Sequence, residues 1–295
     1  MPQRLTTIRI VGSSYAKEEY MKTPSMYRLQ AREALKNLWA KSALATLVFL
    51  LAILTPSVIV IWCTDGFDAP NTSPLWAWLA IFSGFGVVPF TYAYCAAFLN
   101  HIRTKKAKFL KDTWYLGTKN YGRFLGAFML VYLISLAIGG VMNIASTILE
   151  KHDSLLAILI VVAVMLWLFV LMLQVMYAYR MVPYLIHDDP QLKVISALKQ
   201  SNEMMKGYKL LLFKIDLSLV QWYIYAMILT LIFVFVGEAI ASYCFLIIAG
   251  IMCVITIVGT FLFLYPYINT ISALFYEDLK ADKICNNIVI EDNPS

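Results

Sequence analysis

Charge is scarce in this chain. Of its 295 residues, 14% are charged and 61% are hydrophobic, whereas soluble domains carry ~25% charged residues. An ordinary soluble domain is excluded on that ground. Histidine is also rare, with only His101, His152 and His187. No H-E-x-x-H or other zinc spacing exists. His187, Asp188 and Asp189 are consecutive, so their side chains do not converge easily on one ion. Asp189 reads instead as a helix cap, with Pro190 at the first helical position. Five cysteines, an odd number without C-x-x-C, give neither a disulfide framework nor a metal site.

Nucleotide and nucleophile motifs are missing as well: there is no P-loop, no G-x-S-x-G and no kinase signature. Gly84 and Gly86 in "IFSGFGVVP" lie within an apolar run and suit close helix packing better than phosphate binding. The acid pairs Glu18-Glu19 and Glu277-Asp278 read as solvated or interfacial. No base and nucleophile stand together, so no catalytic residue and no cofactor is expected. No cleavable signal peptide is expected either, since the first forty residues are polar.

What the chain has in abundance is long apolar sequence. Six blocks stand out: Ser42–Cys63, Leu75–Leu99, Phe124–Leu149, Ser154–Ile186, Leu210–Val236 and Ala239–Tyr267. Each reaches the ~20 residues a transmembrane helix needs, far above the ~10 of a barrel strand. The expected fold is all-α, with six transmembrane helices arranged as three hairpins. Residues 1–24 read as a flexible extension, 25–279 as the membrane domain and 280–295 as a flexible tail.

Lysine and arginine are distributed one-sidedly. Residues 1–41 hold eight, 100–123 seven, 180–214 six, and the C-terminal segment Lys280 and Lys283; the other connections hold only Lys151. Twenty-three against one places both termini in the cytoplasm by the positive-inside rule. The net charge of +6 is thereby a matter of membrane orientation, and nucleic acid is not an expected partner.

The segments before the odd-numbered blocks resemble one another: "AREALKNLWAK", "LGTKNYGRFLG" and "SNEMMKGYKLL". Their lysines, Lys36, Lys119 and Lys206, are 83 and 87 residues apart. Each even-numbered block carries a proline before an aromatic: Pro89-Phe90, Pro183-Tyr184 and Pro266-Tyr267, spaced 94 and 83. Together they predict a threefold repeat of interfacial helix, span, span. In the first interfacial helix Arg28, Arg32 and Lys36 share one face while Leu35, Leu38 and Trp39 fall on another. It is expected to lie apolar face down on anionic lipid. The prolines would bend each even span near its inner end, either to aid packing or to shape a cavity.

Several polar residues fall inside the apolar blocks. Asn143, Gln174, Lys214, Ser218, Gln221 and Asn269 are candidate contacts for a lipid or solute. Helix-to-helix hydrogen bonds, worth ~0.6 kcal/mol each, are the plainer role. Lys214, Ser218, Gln221 and Tyr225 share one stripe of a helix. Asp216 points elsewhere, toward Arg180 or Lys209, and is expected to be a structural anchor. Arg180 lies ~39 Å along the helix from Ser154, past the ~30 Å hydrocarbon layer.

The stretch "ALKQSNEMMKGYKLLLFKIDLSLVQW", followed by "LFLYPYINTISALFYEDL", resembles an uncharacterised bacterial membrane family, domain of unknown function nine-seven-five. "AREALKNLWAKS" fits that family's start. Residues that carry the resemblance include Ser201, Met205, Lys206, Gly207, Trp222, Tyr265, Pro266, Tyr267, Phe275 and Tyr276. Lys214 and Gln221 depart from it. The resemblance implies an integral membrane protein without established activity. The layout is also similar to the membrane module of some bacterial glycerophosphodiester phosphodiesterases, which inclines the reading toward lipids.

The sequence therefore points to a non-enzymatic protein of the bacterial cytoplasmic membrane that engages anionic inner-leaflet lipid or a membrane protein partner. The alternatives are a transporter or channel for a small solute or lipid, and a membrane enzyme with no recognisable motif. A polar path through Asn143, Gln174 and Asn269 would favour transport.

Overall fold

The computed structural model describes residues 21–63, 74–106, 108–149, 155–240 and 243–291. All regular structure among the described residues is helical. Six helices are long: α2 (Trp39–Cys63), α3 (Pro74–Thr104), α5 (Tyr121–Leu149), α6 (Leu155–Ala178), α9 (Lys209–Ile240) and α10 (Tyr243–Glu291). Four are short: α1 (Pro24–Ala34), α4 (Phe109–Lys119), α7 (Val182–Asp188) and α8 (Val194–Met204).

Among the described residues, four stretches are long and apolar enough to cross a membrane. They are Tyr121–Ile144, Ile158–Asp188, Lys209–Val236 and Gly250–Lys283. A fifth arises if α1 and the first part of α2, which meet at 93°, count as one bent span. Four or five of the six expected spans are thus found among the described residues. The blocks Ser42–Cys63 and Leu75–Leu99 are helical, but their far ends, 56–63 and 74–85, lie outside the residues whose side chains are described. So do the connections 64–73, 150–154 and 241–242, with Lys151 and His152.

Burial is concentrated at one end. Tyr27, Leu35, Tyr94, Phe98, Leu99, Met181, Tyr184, Met205, Leu212, Phe275 and Tyr276 form one buried cluster. Phe124, Val182, Ile186, Ala197 and Leu198 belong to a second. These residues come from the basic ends of the long helices and from the short helices packed against them. Away from that end, Leu159, Leu166, Trp167, Phe235, Ile248 and Val254 are exposed. Helices that are apolar all round present no single core stripe.

The short helices begin each odd long helix in a recurring way. In α1 Pro24 occupies the first turn after Thr23, where a missing N–H costs nothing. Thr23 holds the cap position and Ser25 lies inside the helix. Tyr27, Ala31 and Leu35, four residues apart, are fully buried. The chain then bends at Asn37, whose φ is 64°. Leu35 and Leu38 amides donate to Ala31 and Leu35 carbonyls. The same bonds recur in the third unit, from Met205 to Ser201 and from Tyr208 to Met205, around Gly207 at φ 86°. Asn and Gly are the residues that accept this left-handed turn readily. Before α5 the bonds run from Asn120 to Leu116 and from Arg123 to Asn120, without a positive φ. The matched positions are Leu35, Asn120 and Met205, spaced 85 and 85. Lys119 falls out of that register.

Three expectations change. First, the apolar face of α1 packs against α10 and not outward: Tyr27 lies on Phe275 with ring centroids 5.6 Å apart, and the Tyr267 hydroxyl donates to the Arg28 carbonyl. The protein itself supplies the apolar partner that lipid was expected to supply. Second, α10 continues to Glu291, through residues expected to belong to a flexible tail. Asp282 is buried and accepts from Tyr208 at 2.7 Å. Third, the membrane domain begins before residue 25, because Met21 is buried and Lys22 pairs with Asp278 at 2.9 Å; residues 1–20 lie outside the described residues.

Candidate functional site

Two polar centres sit within the buried end, and both depend on the break between α6 and α7. At that break residues 179–181 form a turn, with the Val182 amide donating to the Tyr179 carbonyl. Pro183 then stands in the first turn of α7. Pro89 and Pro266, by contrast, lie inside the continuous helices α3 and α10. Only one of the three proline sites interrupts its helix.

The first centre is Arg180, carried by the turn. Its guanidinium reaches Asp216 of α9 at 3.4 Å and Ser272 of α10 at 3.1 Å. Tyr177 donates to the same Asp216 carboxylate at 3.0 Å. Three helices are thus joined through one cation. Each partner is mostly withdrawn from solvent, with 24% and 20% of the side chains exposed. Losing either member would leave the other charge in a poorly solvating place.

The second centre is Asp188, the last residue of α7. Arg103 of α3 holds it with two bonds, at 2.6 and 3.0 Å, the fork geometry a guanidinium offers a carboxylate. From α10, Lys280 donates at 2.6 Å and Tyr276 at 2.9 Å. Arg103 also donates from Nε to Glu277 at 2.7 Å. The bonds to Asp188 push the Arg103 guanidinium further above its ordinary, already high value, so it is a permanent cation. Next to Asp188, His187 meets Asn100 of α3 at 2.9 Å. Arg123 of α5 donates to the carbonyls of Ile186, Asp189 and Pro190 at 3.3, 3.1 and 2.8 Å. A guanidinium at these C-terminal carbonyls satisfies orphan acceptors and suits the helix dipole. The rings of Tyr184 and Tyr276 stack 5.1 Å apart, between the two centres.

A family model covers nearly all of this framework. Residues 21–283 match the family described as protein of unknown function, DUF975. The chain belongs to that family. No curated protein and no solved structure matches it. Within this DUF975 chain the matched region begins where the described structure begins, at Met21, and ends at Lys283, past every residue of the two centres.

The candidate residues named from the sequence are scattered in the fold. Gln174, Lys214 and Gln221 are exposed on the outside of α6 and α9, and Asn143 is exposed on α5. Ser218 donates back to the Ile215 carbonyl at 2.6 Å. Tyr225, on the same stripe as Lys214, is also exposed. Asn269 is buried and donates to the Tyr265 carbonyl at 2.8 Å. Asn143 lies twenty residues beyond Arg123, ~30 Å along α5. Asn269, one turn from Ser272, lies at the Arg180 level. The two stand at opposite ends of the apolar layer and do not line one path. Of the named residues, Arg180 and Asp216 meet.

Sequence reasoning missed Asp188 as an anchor and read Glu277-Asp278 as solvated or interfacial without naming partners; Glu277 pairs with Arg103 and Asp278 with Lys22. Asp189 does not cap α8: its carboxylate accepts from the Gln191 amide at 2.8 Å, a local turn, and α8 starts at Val194. A carboxylate placed directly after a long apolar block was the available signal, since such a residue needs a cation nearby.

Cavities lie beside the second centre and, separately, in the apolar stretch. One, of about 430 Å³, is lined by Leu185, Gln200, Glu203, Met204, Tyr276, Lys280 and Lys283, beside Asp188. The other, about 290 Å³ and apolar, lies between α9 and α10 and includes Thr230 and Thr260. Cys95 and Cys253 are free thiols.

Proposed function

We propose that this protein is a non-enzymatic, six-span integral membrane protein of the bacterial cytoplasmic membrane that engages phospholipid at its basic end. Both termini face the cytoplasm, and the chain is three units of short helix, span, span. The observation that carries the lipid reading is the division of the surface. Long helices expose apolar side chains along their outer stretches, and at the basic end α4 exposes Leu110, Trp114 and Tyr115 beside Lys111 and Lys119. Aromatic and basic residues of that kind belong at headgroup level. The three-unit reading is supported by the common hydrogen-bond register at Leu35, Asn120 and Met205. The non-enzymatic reading is supported by the way Arg103 and Tyr276 are both engaged by Asp188.

Purification from native membranes followed by mass spectrometry of bound lipid tests this. Retention of a defined phospholipid class through extensive detergent washing is expected. Recovery of the bulk membrane composition, washed away in proportion, would overturn the lipid reading. Labelling of cysteines introduced near either terminus should occur only from the cytoplasmic side.

A further inference from the structure

The cavity beside Asp188 carries opposite charges that do not meet. Glu203 of α8 and Lys283 of α10 both line it, yet among the described residues neither takes part in an ion pair. Lys280 gives one of its three ammonium protons to Asp188, and two remain. Gln200 adds an amide, while Leu185, Met204 and the Tyr276 ring supply an apolar wall. The pocket therefore offers an acceptor for a cation, donors for an anion and a floor for a short methylene linker.

Its depth is fixed by α8. The Ser201 hydroxyl donates to the carbonyl of Ala178, the last residue of α6, at 2.7 Å. That bond holds α8 level with the point where the apolar helix ends and Arg180 begins. An apolar-to-charged boundary of this kind is headgroup depth.

We propose that this cavity binds a phosphate ester of an amino alcohol, of the phosphoethanolamine type, with Glu203 taking the ammonium and Lys283 and Lys280 taking the phosphate. The proposal rests on the lipid-engaging reading above and narrows it to a headgroup. A single carboxylate facing two lysines selects such a zwitterion over a purely anionic headgroup, which would place its negative charge against Glu203. One charge-assisted contact corresponds to roughly tenfold in affinity.

The test uses the full chain in detergent, titrated with phosphatidylethanolamine, phosphatidylglycerol or soluble phosphoethanolamine, and read by native mass spectrometry. The wild type should retain phosphatidylethanolamine over phosphatidylglycerol by about tenfold. Glu203→Gln should bring that ratio close to one while still binding lipid. Lys283→Gln should weaken both lipids. Both residues make no ion pair among the described residues, and each variant's melting temperature checks that the fold is intact. Saturable binding of soluble phosphoethanolamine at matching affinity would keep the chemistry and assign its source to a free metabolite. Equal retention of both lipids by the wild type, or an unchanged preference in Glu203→Gln, overturns the proposal but leaves lipid engagement standing. Loss of all lipid classes, with soluble phosphoethanolamine still bound, removes the lipid reading and spares the site; no binding of either removes both.

Discussion

The basic end and the apolar stretches of the long helices are held together by different physics. At the basic end, side chains from α1, α2, α3, α7, α9 and α10 are buried together in one cluster. Phe49, Tyr94 and Tyr265 stack on one another with centroids 5.0 to 6.1 Å apart, and Thr46 and Tyr94 share a buried bond of 2.6 Å. Along their outer stretches α5, α6, α9 and α10 expose leucines, isoleucines and valines. In hydrocarbon such exposure carries no penalty, because lipid is as apolar as leucine. Water would enforce burial everywhere; here burial is needed only where charge and backbone ends must be satisfied. Fold specificity therefore resides at the basic end.

That contrast can be broken most severely at Asp188. Replacing it with Ala leaves Arg103, Lys280 and Tyr276 without their shared carboxylate; with the cations 33% and 44% exposed, the cost is ~2–3 kcal/mol. The melting temperature in detergent should fall by roughly 10 °C; a shift within error would mean that the junction does not hold α3, α7 and α10 together. Asp216→Ala strands Arg180 and the Tyr177 hydroxyl, but Arg180 keeps Ser272, and its bond of 3.4 Å to Asp216 is the weaker kind. A drop of about 5 °C is expected there. An unchanged value would remove Asp216 as an anchor.

Gly207→Ala sharpens the comparison at the turn into α9. Cβ meets nothing within 4 Å there, so any loss comes from the backbone at φ 86°. A cost of ~1–2 kcal/mol follows, about 3 °C by thermal unfolding. Gly207→Asn should recover most of it, as Asn37 already adopts the equivalent turn. The smallest effect belongs to the outer surface: Leu166→Ala, at a side chain that is 61% exposed, should stay within ~0.5 kcal/mol. If Leu166→Ala matched Asp216→Ala in thermal unfolding, the division between the two regions would fail.

Much of the architecture was legible because it rests on local composition. Runs of apolar residues gave the long helices, and the lysine-bearing segments gave the short helices that precede α2, α5 and α9. Depth alone offered Asp216 two partners, Arg180 or Lys209, and did not decide between them. The candidate stripe of Lys214, Ser218 and Gln221 was legible as a stripe but not in direction. A helix that is apolar around its whole circumference does not say which side faces its neighbours, and this one faces outward. The apolar face of α1 was likewise visible, but its partner was not, because lipid and the aromatic side of α10 are equally good neighbours for Tyr27 and Leu35.

By itself the sequence determined that this is a helical membrane protein, where its charge lies along the chain and which residues can turn it. Those properties depend on runs of neighbouring residues and on intrinsic backbone preference. Only the tertiary structure decided that Arg103, Asp188 and Lys280, separated by 85 and 92 residues, would share one junction, and that Glu203 and Lys283 would face one cavity. Coulombic and hydrogen-bond energies act over a few ångströms, so the partners are chosen by which helix ends arrive side by side, and no spacing along the chain records that.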